Sequence, residues 1–382
     1  MNERSEETKY WVALSRVSRI GSVRAGRLLA HFGTMQRVWH AGATELRGAG
    51  IDAGTVSSIV DARTSISPDA EMETLRRAGI KAYTWNDDAY PPLLKQIDDK
   101  PPVLYVRGDI LPEDEWAVAI VGTRRATPYG RQAAEHFATD LAQHGVTVVS
   151  GLARGIDAVA HRATLSAGGR TIAVLACGLD MVYPPEHAKL ALEIAQHGAL
   201  VSDYPPGTQP RSEFFPRRNR ILSGASLGVL VIEGDVDSGS LITARMAIDQ
   251  NREVFAVPGS IYGPTHRGPN KLIAEGEAKL VTRTEDILEE LNLTVTTSTQ
   301  QLELREVVPS DPTEAKLLRL LSHQPSHIDE VQRASGLPIA AVSSALALLE
   351  LKGLVKQIAP MSFVKAREVA THTQAQDAVT GN

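Results

Sequence analysis

The feature that most constrains the fold is a series of short apolar runs between residues 117 and 284, separated by segments with helical spacing. Most runs are apolar continuously rather than alternately, which indicates strands buried on both faces. Strands of this kind that alternate with helices predict an open, doubly wound parallel sheet. The runs are VAIVGT, VTVVSG, TIAVLAC, ALVSDY, GVLVIEG, EVFAVPG and AKLVTRT, and KAYTW at Lys81 and PPVLYVRG at Pro101 are candidates for further strands.

Composition divides the rest of the chain. Residues 1–80 have the pattern of short helices, and residues 81–291 carry the strand–helix alternation. Residues 292–312 are rich in Thr, Gln and Pro, which is typical of a linker. Residues 313–368 predict three helices followed by a hairpin, the pattern of a winged helix. Residues 369–382 are predicted to be a disordered tail.

Charge and cysteine content exclude several classes of protein. The formal net charge of -5 is not that of a general polyanion binder, so contacts with nucleic acid would come from local patches. The one cysteine, Cys177, excludes a disulfide within the chain and a cysteine-based zinc site, and its apolar surroundings predict a buried thiol. The charged N-terminus is no signal peptide, and no apolar run approaches the ~20 residues of a membrane span. We expect a soluble, cytoplasmic protein without a metal site or cofactor.

Small residues follow several of the predicted strands, at the edge of a parallel sheet where ligands bind. Gly122 in VGTRRATPYG allows a tight turn beside Arg124 and Arg125, with amides that can face an anion. Gly151 and Gly155 in SGLARGIDAVAH permit close backbone approach. In the same segment Asp157 is expected to cap the next helix and His161 to pack in the core, in preference to a metal pair.

Two later loops repeat this pattern. Gly239 and Ser240 in DSGSLITARMA put free amides at a helix start, and AVPGS (256–260) does the same one strand later. Four such loops on one edge predict a groove suited to several phosphates.

FFPRRNRILSG (214–224) adds charge to the same edge. Arginines neutralise phosphates and an aromatic face stacks on an unpaired base, which together are typical of single-strand binding. The alternative is that Phe214 and Phe215 are core residues and that the arginines pair with nearby acids. Only Glu213 lies close in sequence, which disfavours that alternative for the arginines.

Motifs of common enzymes are missing from the sequence. It contains no G-x-x-x-x-G-K-[ST], no H-E-x-x-H and no G-x-S-x-G, and no paired carboxylates stand out in the loops. We therefore expect no catalytic residues and no enzymatic activity.

Six motifs together resemble those of the DNA-processing protein A family (DprA, also called Smf). They are VGTR, VSGLARGIDAVAH, GLDMVYPPEH, FPRRNRILSG, VIEGDVDSGSLITA and FAVPGS, in this order and densely over residues 100–290. The resemblance implies an extended Rossmann-like core that binds single-stranded DNA and protects it when it enters the cell. It further implies loading of the recombinase RecA during natural transformation, and a homodimer.

The resemblance also implies which residues bind DNA. The G-S/T-R motif corresponds to Gly122, Thr123 and Arg124, whose guanidinium would bind a phosphate. The F-P-x-R-N-R-I motif implicates Phe215, Arg218, Asn219 and Arg220, whereas Phe214 is interpreted as a core residue and Arg217 as solvated. In YPPEH, His187 replaces the usual asparagine, which leaves open whether His187 or Lys189 contacts DNA.

The flanks resemble family variants with an N-terminal SAM-like or helix-hairpin-helix domain and a C-terminal winged helix. SRIGSVRAGRLLAHFG is similar to a helix-hairpin-helix, with a phosphate contact and a protein contact equally open. The third helix of the winged helix, PIAAVSSALALLELKG, has a single basic residue near its end, which favours interaction or regulation over reading of duplex DNA.

Two other functions remain as alternatives. A nucleotide-metabolising enzyme, such as a nucleoside-monophosphate phosphoribohydrolase, would carry P-G-G-x-G-T before a helix, where this chain has DSGSLITA. A winged-helix regulator with a small-molecule sensor core would need a more basic recognition helix.

Overall fold

The structure is a computed structural model, in which the chain divides into two compact units, residues 1–282 and 283–382. Each unit has its own apolar core, as expected of separate compact bodies. The described residues are 3–295, 311–322, 326–351, 354–359, 361–365 and 367–369.

Residues 3–77 form short helices, as the sequence predicts. Side-chain caps start three of them, because Thr34, Asp52 and Ser67 each accept a hydrogen bond from a backbone N–H of the first turn. The helices are α1 Glu3–Ser15, α2 Ser22–Phe32, α3 Met35–His40, α4 Ala43–Gly48, α5 Ala53–Ala62 and α6 Pro68–Arg77.

A mixed sheet follows. Its strands are β1 Lys81–Thr84, β2 Val103–Gly108, β3 Ala117–Val121, β4 Thr147–Ser150, β5 Thr171–Val174, β6 Gly198–Ser202, β7 Gly228–Val231, β8 Glu253–Ala256 and β9 Lys279–Leu280. Within residues 3–295 the strand order is β1-β2-β6-β5-β4-β3-β7-β8-β9. The β1–β2 and β2–β6 pairs are antiparallel and the others are parallel. The predicted doubly wound sheet is confirmed, with KAYTW and PPVLYVRG as its antiparallel edge.

Helices alternate with these strands. They are α7 Pro92–Gln96, α8 Pro128–Gln143, α9 Ile156–Ser166, α10 Ala188–His197, α11 Phe214–Gly224, α12 Gly239–Asp249 and α13 Arg267–Ala274. Neighbouring strands β3 and β7 send the chain in opposite directions, to β4 and to β8. Such a switch point leaves a crevice beyond the carboxyl ends of the two strands.

The segment FFPRRNRILSG forms the whole of α11. Pro216 is tolerated because it lies in the first turn, where a backbone N–H has no partner within the helix. Helical periodicity therefore decides which way each of its arginines points.

The central strands are buried on both faces, which explains their continuous apolar sequence. Every residue of β3, β4, β5 and β6 is buried. Cys177 is buried as predicted, and burial raises the pKa of its thiol to about 11.

The N-terminal helices share an apolar core with one face of the sheet. Trp11 on α1 and Tyr105 on β2 belong to the same buried cluster. The Ser15 hydroxyl lies 2.6 Å from the Tyr105 hydroxyl, and the rings of Trp11 and Trp85 meet edge to face at 5.3 Å. These contacts explain why the helices and the sheet form one compact unit.

The second unit contains the predicted winged helix. Its elements are α14 Thr284–Glu290, β10 Leu293–Val295, α15 Pro312–Leu320, β11 Ser326–His327, α16 Ile328–Ser335, α17 Ile339–Leu351, β12 Val355–Ala359, β13 Ser362–Lys365 and β14 Arg367–Val369. Strands β11, β13 and β12 form an antiparallel sheet beside α15, α16 and α17.

The expected linker begins with a strand, because β10 pairs in parallel with β14. Residues 296–310 of that linker and residues 370–382 of the expected tail lie outside the described residues. Among the helices that the structure describes, none has the length and apolar character needed to cross a membrane.

We expect Trp11→Ala to destabilise the sheet as well as the helices, since Trp11 is 2% exposed in the shared core. Loss of a buried tryptophan costs about 3–5 kcal/mol. Hydrogen exchange of the β2 amides should accelerate in the variant. Val23→Ala, at a position 63% exposed, is the control and should leave exchange unchanged. Unchanged β2 protection in Trp11→Ala would show that the helices fold independently of the sheet.

Candidate functional site

A cavity of about 700 Å³ lies at the switch point. Loops after β3, β4, β5, β6 and β7 contribute to its wall, together with one face of α11 and the start of α12. Its main polar and aromatic lining residues are Gly122, Thr123, Arg124, Arg125, Asp157, Tyr183, Arg211, Ser212, Phe215, Arg218, Asn219, Ser238, Gly239, Ser240 and Thr243. Eight of the eleven predicted binding residues therefore meet in one cavity.

The loop that carries Arg124 is anchored by a buried carboxylate that sequence reasoning missed. Glu233, which follows β7, is fully buried and accepts hydrogen bonds from the Thr127 backbone N–H at 3.0 Å and the Thr127 hydroxyl at 2.5 Å. Its own carbonyl accepts from the Thr123 N–H at 2.8 Å. The signal in the sequence was an acidic residue at the end of an otherwise apolar strand, in GVLVIEG.

Gly155 brings the next loop against the same segment. It adopts φ of 77°, a conformation that favours glycine, and a Cβ there would lie 2.3 Å from the Thr123 carbonyl oxygen. The following N–H, of Ile156, donates to that carbonyl at 3.2 Å. Gly155 thus positions the cavity wall without itself lining it.

Arg218 is buried beneath the cavity floor. Its Nη1 donates to the Gly151 carbonyl at 2.8 Å and also to the Val174 carbonyl. Burial lowers the pKa of this guanidinium to about 10, against the favourable charge of Asp157. Its Nε is buried and has no hydrogen-bond partner among the described residues.

Phe215 provides the aromatic face of the cavity. The Arg124 guanidinium lies over its ring at 5.1 Å from the centroid, and the Tyr183 ring lies 5.6 Å away at 55°. Arg124 is exposed, so its charge faces the open cavity. Tyr183 belongs to GLDMVYPPEH, one of the six motifs that carry the family resemblance.

The start of α12 closes the opposite side. Ser238 makes no side-chain cap bond to the first turn, which leaves N–H groups there for a ligand. The Asn219 amide donates to the Gly239 carbonyl at 3.2 Å and so ties α11 to α12. The hydroxyls of Ser238 and Ser240 lie 2.7 Å apart.

Arg220 is not brought into this cavity, which corrects the prediction that it contacts a phosphate there. It is buried in an ion pair with Asp203 at 2.6 Å and lies 3.5 Å from Asp99. Because Arg218 and Arg220 are two residues apart on a helix, their side chains diverge by about 200° around the axis. Both partners are distant in sequence, so reasoning from nearby acids missed them.

The fourth expected anion loop also lies elsewhere. AVPGS does not line the cavity, and the Gly259 N–H is already satisfied by the Asn270 side chain at 3.1 Å. Gly151 lies behind Arg218, where a Cβ would come within 2.5 Å of the guanidinium.

The prediction that Asp157 caps α9 is wrong. Gly155 is the N-cap, and the Asp157 carboxylate instead accepts from the N–H groups of Gly151 and Ala153 in the preceding loop. Burial raises the pKa of Asp157. Its carboxylate therefore stabilises the loop between β4 and α9 next to Arg218.

The two histidines of interest are both core residues. His161 packs as predicted, with its Nδ1 2.6 Å from the Thr171 hydroxyl, and burial lowers its pKa to about 3. The His187 Nδ1 donates to the Leu152 carbonyl at 2.8 Å, and His187 is buried. Lys189 is exposed and lies outside the cavity lining. Within the part of the chain that the structure describes, no three His, Cys, Asp or Glu side chains form a metal-binding cluster.

Fold and site together define a class: a Rossmann-like protein with an arginine- and aromatic-lined cavity at its switch point, followed in the chain by a winged helix. The chain belongs to the DNA recombination-mediator protein A family, whose model matches residues 81–292. A second family model, the DprA winged helix domain, matches residues 303–359.

Relatives extend this match along most of the chain. Protein Smf of Synechocystis is 34% identical over 94% of this chain and 99% of its own length. DNA processing protein DprA of Bacillus subtilis is 48% identical over 58% of this chain and 74% of its own. The X-ray structure of DprA from Streptococcus pneumoniae superposes with a TM-score of 0.66 at 34% identity, over 74% of this chain and 98% of that one. A structure of DNA processing protein A from Helicobacter pylori, which describes its single-stranded DNA binding mode, is also similar. It superposes with a TM-score of 0.51 at 32% identity, over 56% of this chain and 97% of that one.

We expect Gly155→Ala to lower the melting temperature markedly, because the new Cβ would collide with the backbone of residues 123 and 124. A backbone conformation of φ 77° and ψ -126° alone costs an alanine about 1–3 kcal/mol. Gly239→Ala is a matched control, since its Cβ would enter open space at a helix start. Equal melting temperatures for the two variants would contradict the assigned close approach.

The pKa of His161 predicts an acid-sensitive fold. Below about pH 6.5 the unfolded imidazole binds a proton and the folded one does not, so stability is lost as pH falls from about 6.5 toward about 3. The slope from this group is at most about 1.4 kcal/mol per pH unit. Urea unfolding between pH 6.5 and 4.5 measures the free energy of unfolding. In His161→Gln this free energy should fall less steeply with decreasing pH than in the parent. An equally steep pH dependence of the unfolding free energy in His161→Gln would contradict the burial argument.

Proposed function

We propose that this chain binds single-stranded DNA in the switch-point cavity as a DNA-processing protein of the transformation type. The observation that carries the proposal is the Phe215 ring, with the exposed Arg124 guanidinium over it and the Arg218 Nε unpartnered below the cavity floor. An aromatic face can stack on an unpaired base, and arginines beside it can bind the flanking phosphates.

The cavity favours a single strand over a duplex. A base must leave its stack to reach a ring such as Phe215, and this costs less in an unpaired strand because no base pair has to be broken. The uncapped start of α12 offers N–H groups to a backbone phosphate on the far side of the same cavity. Neither contact depends on base identity, so we expect little sequence preference.

Relatives support this assignment. DprA of Helicobacter pylori is a single-stranded DNA binder by its published structure, and those of Bacillus subtilis and Streptococcus pneumoniae are DNA processing proteins. We propose for this chain the corresponding role, in which it protects incoming DNA in the cytoplasm and loads RecA as a homodimer, without catalysing a reaction itself.

We further propose how the chain divides this work. Residues 81–291 bind DNA, with direct contacts from Gly122, Thr123, Arg124, Phe215, Arg218, Asn219, Gly239 and Ser240, while Gly151 and Gly155 hold the loops. Residues 1–80 and residues 313–368 are the helical and winged-helix domains, joined through a linker at 292–312, with a tail at 369–382.

Arg124→Ala should weaken binding to a labelled oligothymidylate, because it removes a phosphate contact beside the base platform. Its plot of log affinity against log salt should be shallower by about one. Arg162→Ala, an exposed arginine on α9 outside the cavity, is the control. Fluorescence anisotropy over a salt series measures both. A parent protein that prefers duplex, or does not bind at low salt, would refute the proposed function.

RecA loading has its own test. The parent protein should accelerate RecA filament assembly on single strands already covered by a single-strand binding protein, as followed by RecA ATPase onset. Arg124→Ala should lose most of this acceleration, because loading requires that the protein binds the single strand. Binding without any acceleration would restrict the function to protection of DNA.

A further inference from the structure

A second cavity, of about 470 Å³, lies on the opposite side of α11 within the first unit. The turn between α1 and α2 forms one wall, and the segment that follows β6 forms another. Phe214, Arg217 and Arg220 face it from α11, at spacings of three residues, whereas Phe215, Arg218 and Asn219 face the first cavity. Helix α11 is thus the partition between two cavities.

Three buried polar atoms at this second cavity have no hydrogen-bond partner among the described residues. The Tyr204 hydroxyl, one carboxylate oxygen of Asp203 and the Nη1 of Arg220 are all unsatisfied. Tyr204 is 6% exposed and Arg220 7% exposed, so bulk water does not replace the missing bonds freely. Buried donors and acceptors in native proteins are nearly always hydrogen-bonded, so this set indicates a ligand that offers both donors and acceptors.

The mouth of the cavity is suited to an anion. Helix α2 begins at Ser22, and its N-cap, Gly21, makes no side-chain cap bond, so first-turn N–H groups remain available. Three exposed arginines, Arg16, Arg19 and Arg217, line the same cavity. Arg16 is paired with Glu71, so Arg19 and Arg217 are the candidates for a phosphate. A phosphate there would meet both N–H groups and guanidinium groups.

Aromatic rings connect this cavity to the first one. The Tyr204 and Phe214 rings stack at 4.3 Å and 25°, with the Arg217 guanidinium 5.9 Å from the Tyr204 centroid. Arg211 lies over Phe214 at 5.8 Å and also lines the first cavity. A strand that leaves the Phe215 platform would therefore pass over Arg211 to reach the second cavity.

We propose that the second cavity binds a further nucleotide of the same DNA strand. The base edge would bond with Tyr204, Asp203 and Arg220, and its phosphate would lie at the start of α2 beside Arg19 and Arg217. This inference rests on the proposed function of the first cavity. It gives the N-terminal helices a direct part in DNA binding, through a turn rather than through a separate domain.

The test compares oligothymidylates of increasing length, from about 4 to about 20 nucleotides, on the full-length protein. Affinity of the parent should rise in a step once the strand reaches the second cavity. Tyr204→Phe and Arg217→Ala should each lose about five- to tenfold affinity for the long strands, the scale of one lost hydrogen bond or one lost phosphate contact, and none for the shortest strand that binds. Arg47→Ala, an exposed arginine of α4, is the control and should match the parent at every length.

Tyr204→Phe adds a readout that separates binding from folding. Since the hydroxyl has no partner within the described chain, its removal should leave the melting temperature without DNA unchanged or higher, while long-strand binding weakens. Long-strand affinities equal to those of Arg47→Ala in both variants would overturn the inference.

Further outcomes distinguish this inference from the first proposal. Arg124→Ala should weaken binding to strands of every length. If its affinity is reduced but the affinities of Tyr204→Phe and Arg217→Ala are not, only the proposed second site is refuted. A parent that binds no strand removes the proposed function itself. Free thymidine monophosphate is the competing ligand. It would be the true ligand of the second cavity if it raised the melting temperature of the parent but not of Tyr204→Phe, and if affinity showed no step with strand length. That result would overturn the assignment of the cavity to a DNA strand.

Discussion

The bond between the Arg218 guanidinium and the carbonyls of Gly151 and Val174 holds α11 across the carboxyl ends of β4 and β5. Val174 is the last residue of β5 and Gly151 follows β4, so both carbonyls lie at strand ends, where a side chain can reach them. Burial of the charge is costly, and Asp157 beside it offsets part of that cost. A pKa of about 10 still leaves Arg218 charged at neutral pH.

Once α11 is fixed in this way, its periodicity sorts its side chains between two cavities. Phe215 and Asn219 face the switch point, where Arg124 and the start of α12 complete the wall. Phe214 and Arg217 face the α1–α2 turn, which the shared apolar core holds in place. Two aromatic platforms back to back on one short helix follow from this single orientation.

The sequence predicted the sheet because buried parallel strands are continuously apolar, and it predicted the cavity because loops at strand ends share one edge. It did not predict the partners of Arg220, since Asp99 and Asp203 are brought together only by folding. The role of Glu233 was missed for the same reason, because its hydrogen-bond donors lie in the loop after a different strand. Pro216 and the dense charge also obscured the helical character of α11, whose stability comes from packing and not from propensity.

The net charge of -5 does not itself attract DNA, so the strand would be held by local contacts. At physiological ionic strength charges are screened beyond about 8 Å, so a distant acidic surface has little effect on a strand already in contact with the cavities. Binding must then come from groups that touch the strand, the exposed arginines around α11 and the N–H groups at the starts of α2 and α12. An acidic chain of this kind would release DNA readily wherever these short-range contacts are lost.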